Sequence, residues 1–237
     1  MIELTGVTKV YGGRVKALDT VSLRIDSGCI YGFLGKNGAG KTTAIKLITG
    51  ILQPDSGHIE VEGVDIAKDP LAAKKVIGFV PDDPNVFLRL KGIEYLAFMA
   101  DIYGVGRERG ERIAKLAERF EMSSALDDKI QSYSHGMRQK MLIMGALLHR
   151  PKVWILDEPM TGLDPAAAFE LKRMMREHAD EGSTVFFSTH VLEVAEKLCD
   201  KVAVIDRGRI LYAGSMNELH SGDASLEQMF LEMTEHA

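Results

Sequence analysis

The sequence predicts an α/β fold with a mostly parallel sheet core, and three observations predict it. An apolar run, "CIYGFLG", meets a glycine-rich turn and then a helical pattern, "KTTAIKLITGIL". The last third of the chain alternates strand and helix patterns, which implies parallel strands covered by helices. Between these parts, from about Pro81 to Arg150, the periodicity is mostly helical. That stretch reads as a helical subdomain inserted between strands of the sheet.

Taken in order, the first third is strand-rich. In "TVSLRID", Val21, Leu23 and Ile25 alternate with polar residues, and in "HIEVEGV", Ile59 and Val61 alternate with Glu60 and Glu62. In the middle, "GIEYLAFMADIYG" and "RERGERIAKLAERF" carry helical spacing. The strand "KVWILDEP" then leads to a helix opening at Asp164-Pro165, a good N-cap followed by proline at the first helical position. Leu171, Met174, Met175 and His178 recur at helical spacing and predict its core face. The strand "TVFFSTH" precedes a helix expected to bury Val191, Val194, Ala195 and Leu198, and the strands "KVAVID" and "RILYAG" follow. There is no internal repeat, low-complexity tract or linker. The chain therefore reads as a single domain over residues 1–237, with 1–80 and 151–237 as core and about 81–150 as the insert.

Composition bounds the function classes. At 237 residues and 46% hydrophobic, the chain can bury a sizeable core. A formal net charge of −5 argues against a generally basic nucleic-acid binder. Cys29 and Cys199 do not make a disulfide framework. No apolar run approaches the ~20 residues that cross a bilayer, and the start "MIELTGVTKV" carries no secretory pattern. The expected location is cytoplasmic, with any work at a membrane done through a partner.

Gly35 to Thr42 matches G-x-x-x-x-G-K-[ST] in full. Gly35, Gly38 and Gly40 let the backbone curl so that its N–H groups face phosphate oxygens. Lys36, Asn37, Ala39 and Thr43 complete the expected nucleotide-binding stretch. The helix starting near Lys41 adds its dipole, Lys41 can reach the β- and γ-phosphates, and Thr42 can offer a hydroxyl to Mg²⁺. The strand "VWILDEP" delivers Asp157 and Glu158 to the same crevice, where a parallel sheet binds its ligand. Asp157 is the expected holder of the metal shell, and Glu158 the residue that orients and polarises the attacking water. His190, closing "TVFFSTH", falls in the same topological place and is a third catalytic candidate. Tyr11 in "KVYGG" is suited either to stacking on an adenine ring or to closing a strand.

A second helix start, "SYSHGMRQKM", also suits an anion, with Ser134 as N-cap and Gly136 as a close-approach residue. One γ-phosphate leaves no room for two helix starts from one chain. Two copies placed head to tail remove the conflict, because the "SHGM" helix of one then caps the nucleotide held by the other.

The order of phosphate loop, "SHGM", "LDEP", "GLDP" and "STH" resembles the ATP-binding cassette (ABC) ATPases, and the resemblance covers essentially the whole chain. It implies an N-terminal antiparallel β subdomain beside the sheet and the insert. It further implies Mg²⁺-dependent ATP hydrolysis by a homodimer or heterodimer, Ser134 to Met137 as signature, Asp164 in the loop linking two sites, His190 as switch and Tyr11 against adenine. An integral membrane permease is the implied partner, which places the chain peripherally on the inner face of the membrane. Soluble relatives acting on ribosomes or DNA are the alternative, but they carry two cassettes or a long coiled-coil insertion, and this chain has neither.

The chain departs from the family pattern in three places. The usual L-S-G-G-Q is Tyr133-Ser134-His135-Gly136-Met137 here, which keeps the serine and the second glycine. In "GFVPDD", Asp82 stands where the family usually has glutamine, so near a γ-phosphate it must be metal-paired, protonated or turned away. Asp82 is therefore a candidate metal ligand that is expected to serve the partner contact more. "VPDD", "YSHGMRQK" and the tail "SLEQMFLEM" resemble stand-alone bacterial cassettes that power export permeases. The apolar-rich "NVFLRLKGIEYLAFM" lies where such proteins receive the permease, although most of it also suits a core.

Overall fold

A computed structural model describes residues 1–219 and 226–235. The chain opens with β1 (Ile2–Tyr11), β2 (Val15–Ile25) and β3 (Ile30–Leu34), followed by α1 (Lys41–Ile48), β4 (Ser56–Val61) and β5 (Val64–Asp65). Next come α2 (Pro70–Lys75), β6 (Ile77–Val80), α3 (Gly92–Ile102), α4 (Arg109–Arg119) and α5 (His135–Leu147). It returns through β7 (Val153–Asp157), α6 (Pro165–Asp180), β8 (Thr184–Thr189) and α7 (Leu192–Leu198). It ends with β9 (Lys201–Asp206), β10 (Arg209–Ser215), α8 (Met216–Leu219) and α9 (Leu226–Glu235).

These strands make two sheets. One is antiparallel in the order β2-β1-β4-β5, and the other runs β10-β9-β3-β8-β7-β6 with only β10 antiparallel to its neighbour. Strand β1 escapes a period-two reading for a physical reason. Ile2 and Leu4 alternate inward, but the register shifts between Leu4 and Val7, where Gly6 takes a left-handed φ of 59°. The bulge moves the apolar set by one residue, so the alternation is lost in the letters.

The parallel sheet is buried on both faces, and its strands divide their side chains between two cores. Ile30, Leu34, Trp154 and Leu156 face the helices of the insert and α6, while Tyr31, Phe33, Val153 and Ile155 face α1 and the antiparallel sheet. Fully burying each large apolar side chain contributes about 1.5–3 kcal/mol, so β3 and β7 are pinned from both sides. Rigid strands hold whatever their ends carry.

The α6 start behaves as its residues dictate: the Asp164 side chain accepts from the Ala167 N–H at 2.8 Å, with Pro165 at the first helical position. Leu171, Met174 and Met175 are buried, and His178 is half-buried with its ring edge-on to Trp154. Helix α7 differs from expectation. Val191 precedes it and is 42% exposed, so its buried face is carried by Ala195 and Leu198. A short helix of this length begins one residue too late to turn Val191 inward. The tail "SLEQMFLEM" forms α9 from Leu226, which packs Leu226 and Phe230 on the core, while Ser225 lies outside the described residues. No helix among the described residues is long and apolar enough to cross a membrane.

Candidate nucleotide-hydrolysis site

Strands β3, β8 and β7 are adjacent and parallel, so their C-terminal ends open on one edge. Each end carries one of the predicted motifs. From β3 the chain turns through Gly35–Gly40 into α1. The three glycines of this loop have different reasons to be glycine. A side-chain carbon on Gly35 would come 2.6 Å from the Ile205 carbonyl oxygen, and one on Gly40 would come 2.5 Å from that of Ala17. Gly38 meets nothing, but its φ of 81° is left-handed. Gly40 also caps α1 at φ 115° with no side-chain bond, so the first amides of the helix stay available to a ligand.

Lys41 is buried at 6% exposure, and its ammonium donates to the carbonyls of Gly35 at 2.7 Å and Lys36 at 3.4 Å. A cleft of about 200 Å³ lies over this loop, lined by Lys36, Asn37, Gly38 and Gly40 through Thr43 together with Ala17, Asp82 and Glu158. It is smaller than the ~300–1,000 Å³ of a typical small-molecule pocket, so it suits phosphates and leaves a base outside. Ala39 is buried beneath it.

Strand parity explains the carboxylates. Val153, Ile155 and Asp157 point to the face on which α1 packs, so the buried Asp157 continues toward the loop. Its register partner on β8 is Ser188, whose hydroxyl donates to Asp157 Oδ1 at 2.5 Å and accepts from the Glu158 N–H at 3.0 Å. Glu158 would turn to the other face if β7 simply continued. Its φ of 46° breaks the alternation and returns the carboxylate to the cleft, 3.4 Å from Lys41 Nζ. Oε1 also lies 3.0 Å from Nδ1 of His190, which is half-exposed. Neither approach is aligned as a hydrogen bond, so this buried oxygen keeps its acceptor capacity. Asp82 follows β6 at the same edge. Burial, and then the charges of Asp157 and Glu158, push its carboxyl above the usual aspartate range.

The structure therefore gathers Lys41, Thr42, Asp82, Asp157, Glu158 and His190 at one edge. It does not bring Ser134, Gly136 or Tyr11 to the cleft lining. Tyr11 ends β1, which lies between two other strands rather than at an edge, and its ring is 42% exposed. Ser134 caps α5 by accepting from the Met137 N–H at 3.2 Å. The small size of Gly136 is used first by its own chain, because a side-chain carbon there would come 2.5 Å from the Gly162 carbonyl oxygen. Asp164 is likewise engaged at home, where the Ala167 N–H and then Lys140, at 3.1 Å, hold its carboxyl below the usual range.

Ser188 joins the candidate site through its bonds to Asp157 and the Glu158 N–H, although no motif marks it. It lies within "TVFFSTH" two residues before His190, so strand parity puts both on one face.

Comparison with known proteins agrees with this geometry. Residues 18–161 match the family model described as ABC transporter. The chain is 35% identical to the ABC transporter ATP-binding protein NatA of Bacillus subtilis (strain 168), over 99% of this chain and 97% of that protein. It is 37% identical to the daunorubicin/doxorubicin resistance ATP-binding protein DrrA of Streptomyces peucetius, over 93% of this chain and 67% of that one. Among solved structures, one described as the structure of the ATP-binding subunit of an ABC transporter superposes with a TM-score of 0.93 at 31% identity, covering 99% of both chains. With the phosphate loop, the paired carboxylates and the self-capped serine helix in this arrangement, the chain belongs to the ATP-binding subunits of the ABC transporter family.

Proposed function

We propose that this chain hydrolyses ATP at the edge of β3, β7 and β8, in a dimer that drives an export permease in the membrane. The single observation that carries the hydrolysis is the Glu158 carboxylate. It is turned into the cleft by a left-handed backbone, with Oε1 unaligned to either neighbour and free to accept from a water. In this reading Glu158 orients and polarises that water, and His190 holds Glu158 and senses the γ-phosphate. Lys41 exchanges its two loop carbonyls for phosphate oxygens, and the amides of Gly38 through Thr43 neutralise the rest.

The oxygen donors fit a small hard cation. Thr42 is exposed to the cleft, Asp157 is buried with Oδ1 bonded to Ser188, and Asp82 faces them. Among the described residues no three His, Cys, Asp or Glu side chains form a metal cluster, and Mg²⁺ needs only one or two carboxylates beside substrate phosphates. When bound, Mg²⁺ supplies Lewis-acid stabilisation of the charge that develops on the transferred phosphoryl group. Thr42 and Asp157 would hold it, with Asp82 a candidate ligand that would serve the partner contact more.

A dimer is supported by the separation of Ser134 and Gly136 from the cleft of their own chain: a second copy is what can bring them to a nucleotide. Export is supported by the resistance function in the name of the Streptomyces relative. The permease contact is assigned to the exposed aromatic surface of Phe87 and Phe98, whose rings sit 5.8 Å apart. No helix long enough to span accompanies them among the described residues, so membrane association runs through that partner.

The test is Glu158→Gln. Turnover is expected to fall by roughly 10²–10⁴-fold, as for a lost general base, while ATP-driven dimerisation persists. Full turnover in this variant removes Glu158 from the role, and loss of dimerisation removes the head-to-tail arrangement.

A further inference from the structure

Helix α5 buries an amide with no bonding partner among the described residues. Gln139 is 1% exposed, and neither its Oε1 nor its Nε2 has a hydrogen-bond partner among the described residues. An amide offers two donors and one acceptor, and leaving them unmet away from water costs free energy that an apolar side chain of the same size would not. Glutamine at such a position is explained when a second arrangement of the same groups satisfies it.

Helical geometry identifies the groups. Gln139 follows His135 by four residues and Gly136 by three, so it lies one turn along the same face of α5. That face carries the loop behind Glu158. The carbonyl of Gly162 packs where a side chain on Gly136 would sit, and His135 packs where one on Gly162 would sit. On the flank, Lys140 Nζ is 3.1 Å from Asp164 Oδ2. Gly162 therefore packs on α5 one turn from Gln139, and residues 159–163 connect Glu158 directly to the start of α6.

We infer that Gln139 is a positioning residue for hydrolysis: its amide bonds the backbone of residues 159–163 once the Ser134 end of α5 is engaged by nucleotide, and so holds Glu158 in place. Nε2 donates to a loop carbonyl, and Oε1 accepts from a loop N–H. The Gly136–Gly162 contact, with no side chain between the two backbones, is the pivot on which the loop shifts. This inference deepens the proposed function and rests on its reading of Glu158.

The test compares the full chain with Gln139→Met, which keeps length and volume but removes the amide. Hydrogen exchange of the backbone amides of residues 160–163 is measured with and without a non-hydrolysable ATP analogue. The analogue is expected to slow exchange in the parent and not in Gln139→Met. In the same variant, kcat is expected to fall by about 10- to 10²-fold, the scale of a misplaced catalytic group, while KM for ATP stays within about twofold. Gln139→Glu, which retains an acceptor, is expected to recover part of the protection. Equal protection of the loop in parent and Gln139→Met overturns the inference, as does an unchanged kcat, which leaves the amide no part in hydrolysis. The exchange measurement needs no hydrolysis, so its outcome is independent of whether Glu158→Gln confirms the role of Glu158.

Discussion

Two helix starts in this protein are proposed to meet anions, and they are built differently. Helix α1 begins at Gly40, which has no side chain to spend on its own amides. Helix α5 begins at Ser134, whose hydroxyl already accepts from the Met137 N–H. The first is wrapped by its own chain, with Gly35 and Gly40 packed against the backbones of β9 and of Ala17 in β2. The second is exposed at Ser134 and His135 and leans on the Gly162 loop. An uncapped end inside a rigid frame is a finished binding site. A self-capped end at the surface is, in the proposed dimer, half of one, and its ligand would arrive with the second copy.

The sharpest way to break this comparison is Gly40→Ala. Alanine at φ 115° with the Ala17 carbonyl oxygen 2.5 Å from its methyl forces the loop to move. The expected cost is about 1–3 kcal/mol of stability in a denaturant melt and about 10²-fold in hydrolysis. A variant with parental turnover would mean that the loop is not preorganised.

Ser134→Ala probes the other start and is expected to cost less, about 1 kcal/mol of stability for the lost cap. Nucleotide affinity of the isolated chain should stay unchanged, because Ser134 is not in its own cleft, whereas turnover of the dimer falls. Weaker nucleotide binding by the monomer would contradict the division of labour between the two starts.

The smallest effect is electrostatic. Asp82 binds its proton more tightly in the folded chain because of burial and then Asp157 and Glu158. The folded state therefore holds more protons than the unfolded one between the ordinary aspartate value and the raised one. The associated stability is full below the ordinary value and lost as pH rises through the raised value. Asp82→Asn removes that loss, so its Tm should exceed the parent's at pH 7 and approach it as pH falls toward about 4. A Tm difference that ignores pH would point to shape rather than charge.

Much of the site was legible in the residues, and the reason is local. The phosphate loop needs glycines at Gly35, Gly38 and Gly40 whatever surrounds it, and Asp164-Pro165 starts a helix by its own hydrogen bond and fixed φ. Strand β7 reads as buried because both its faces are apolar, which also put Asp157 and Glu158 at the edge. Strand β1 was not legible, since the bulge at Gly6 erased its alternation. Nor was Ser188, because its value lies in being opposite Asp157 across two strands 31 residues apart.

The chain's letters carry its family resemblance, its phosphate-loop motif and the carboxylate pair at the end of β7, because each is a pattern within a few residues. Three features depend on parts of the chain that are distant in sequence. The left-handed backbone of Glu158 brings its carboxylate to Lys41. Gly136 makes room for Gly162 of its own chain. Gln139 is sealed in the core with no hydrogen-bond partner for its amide among the described residues. Periodicity and motif spacing report which residues can form an element, whereas packing between elements determines which backbone strains and unmet hydrogen bonds the fold retains.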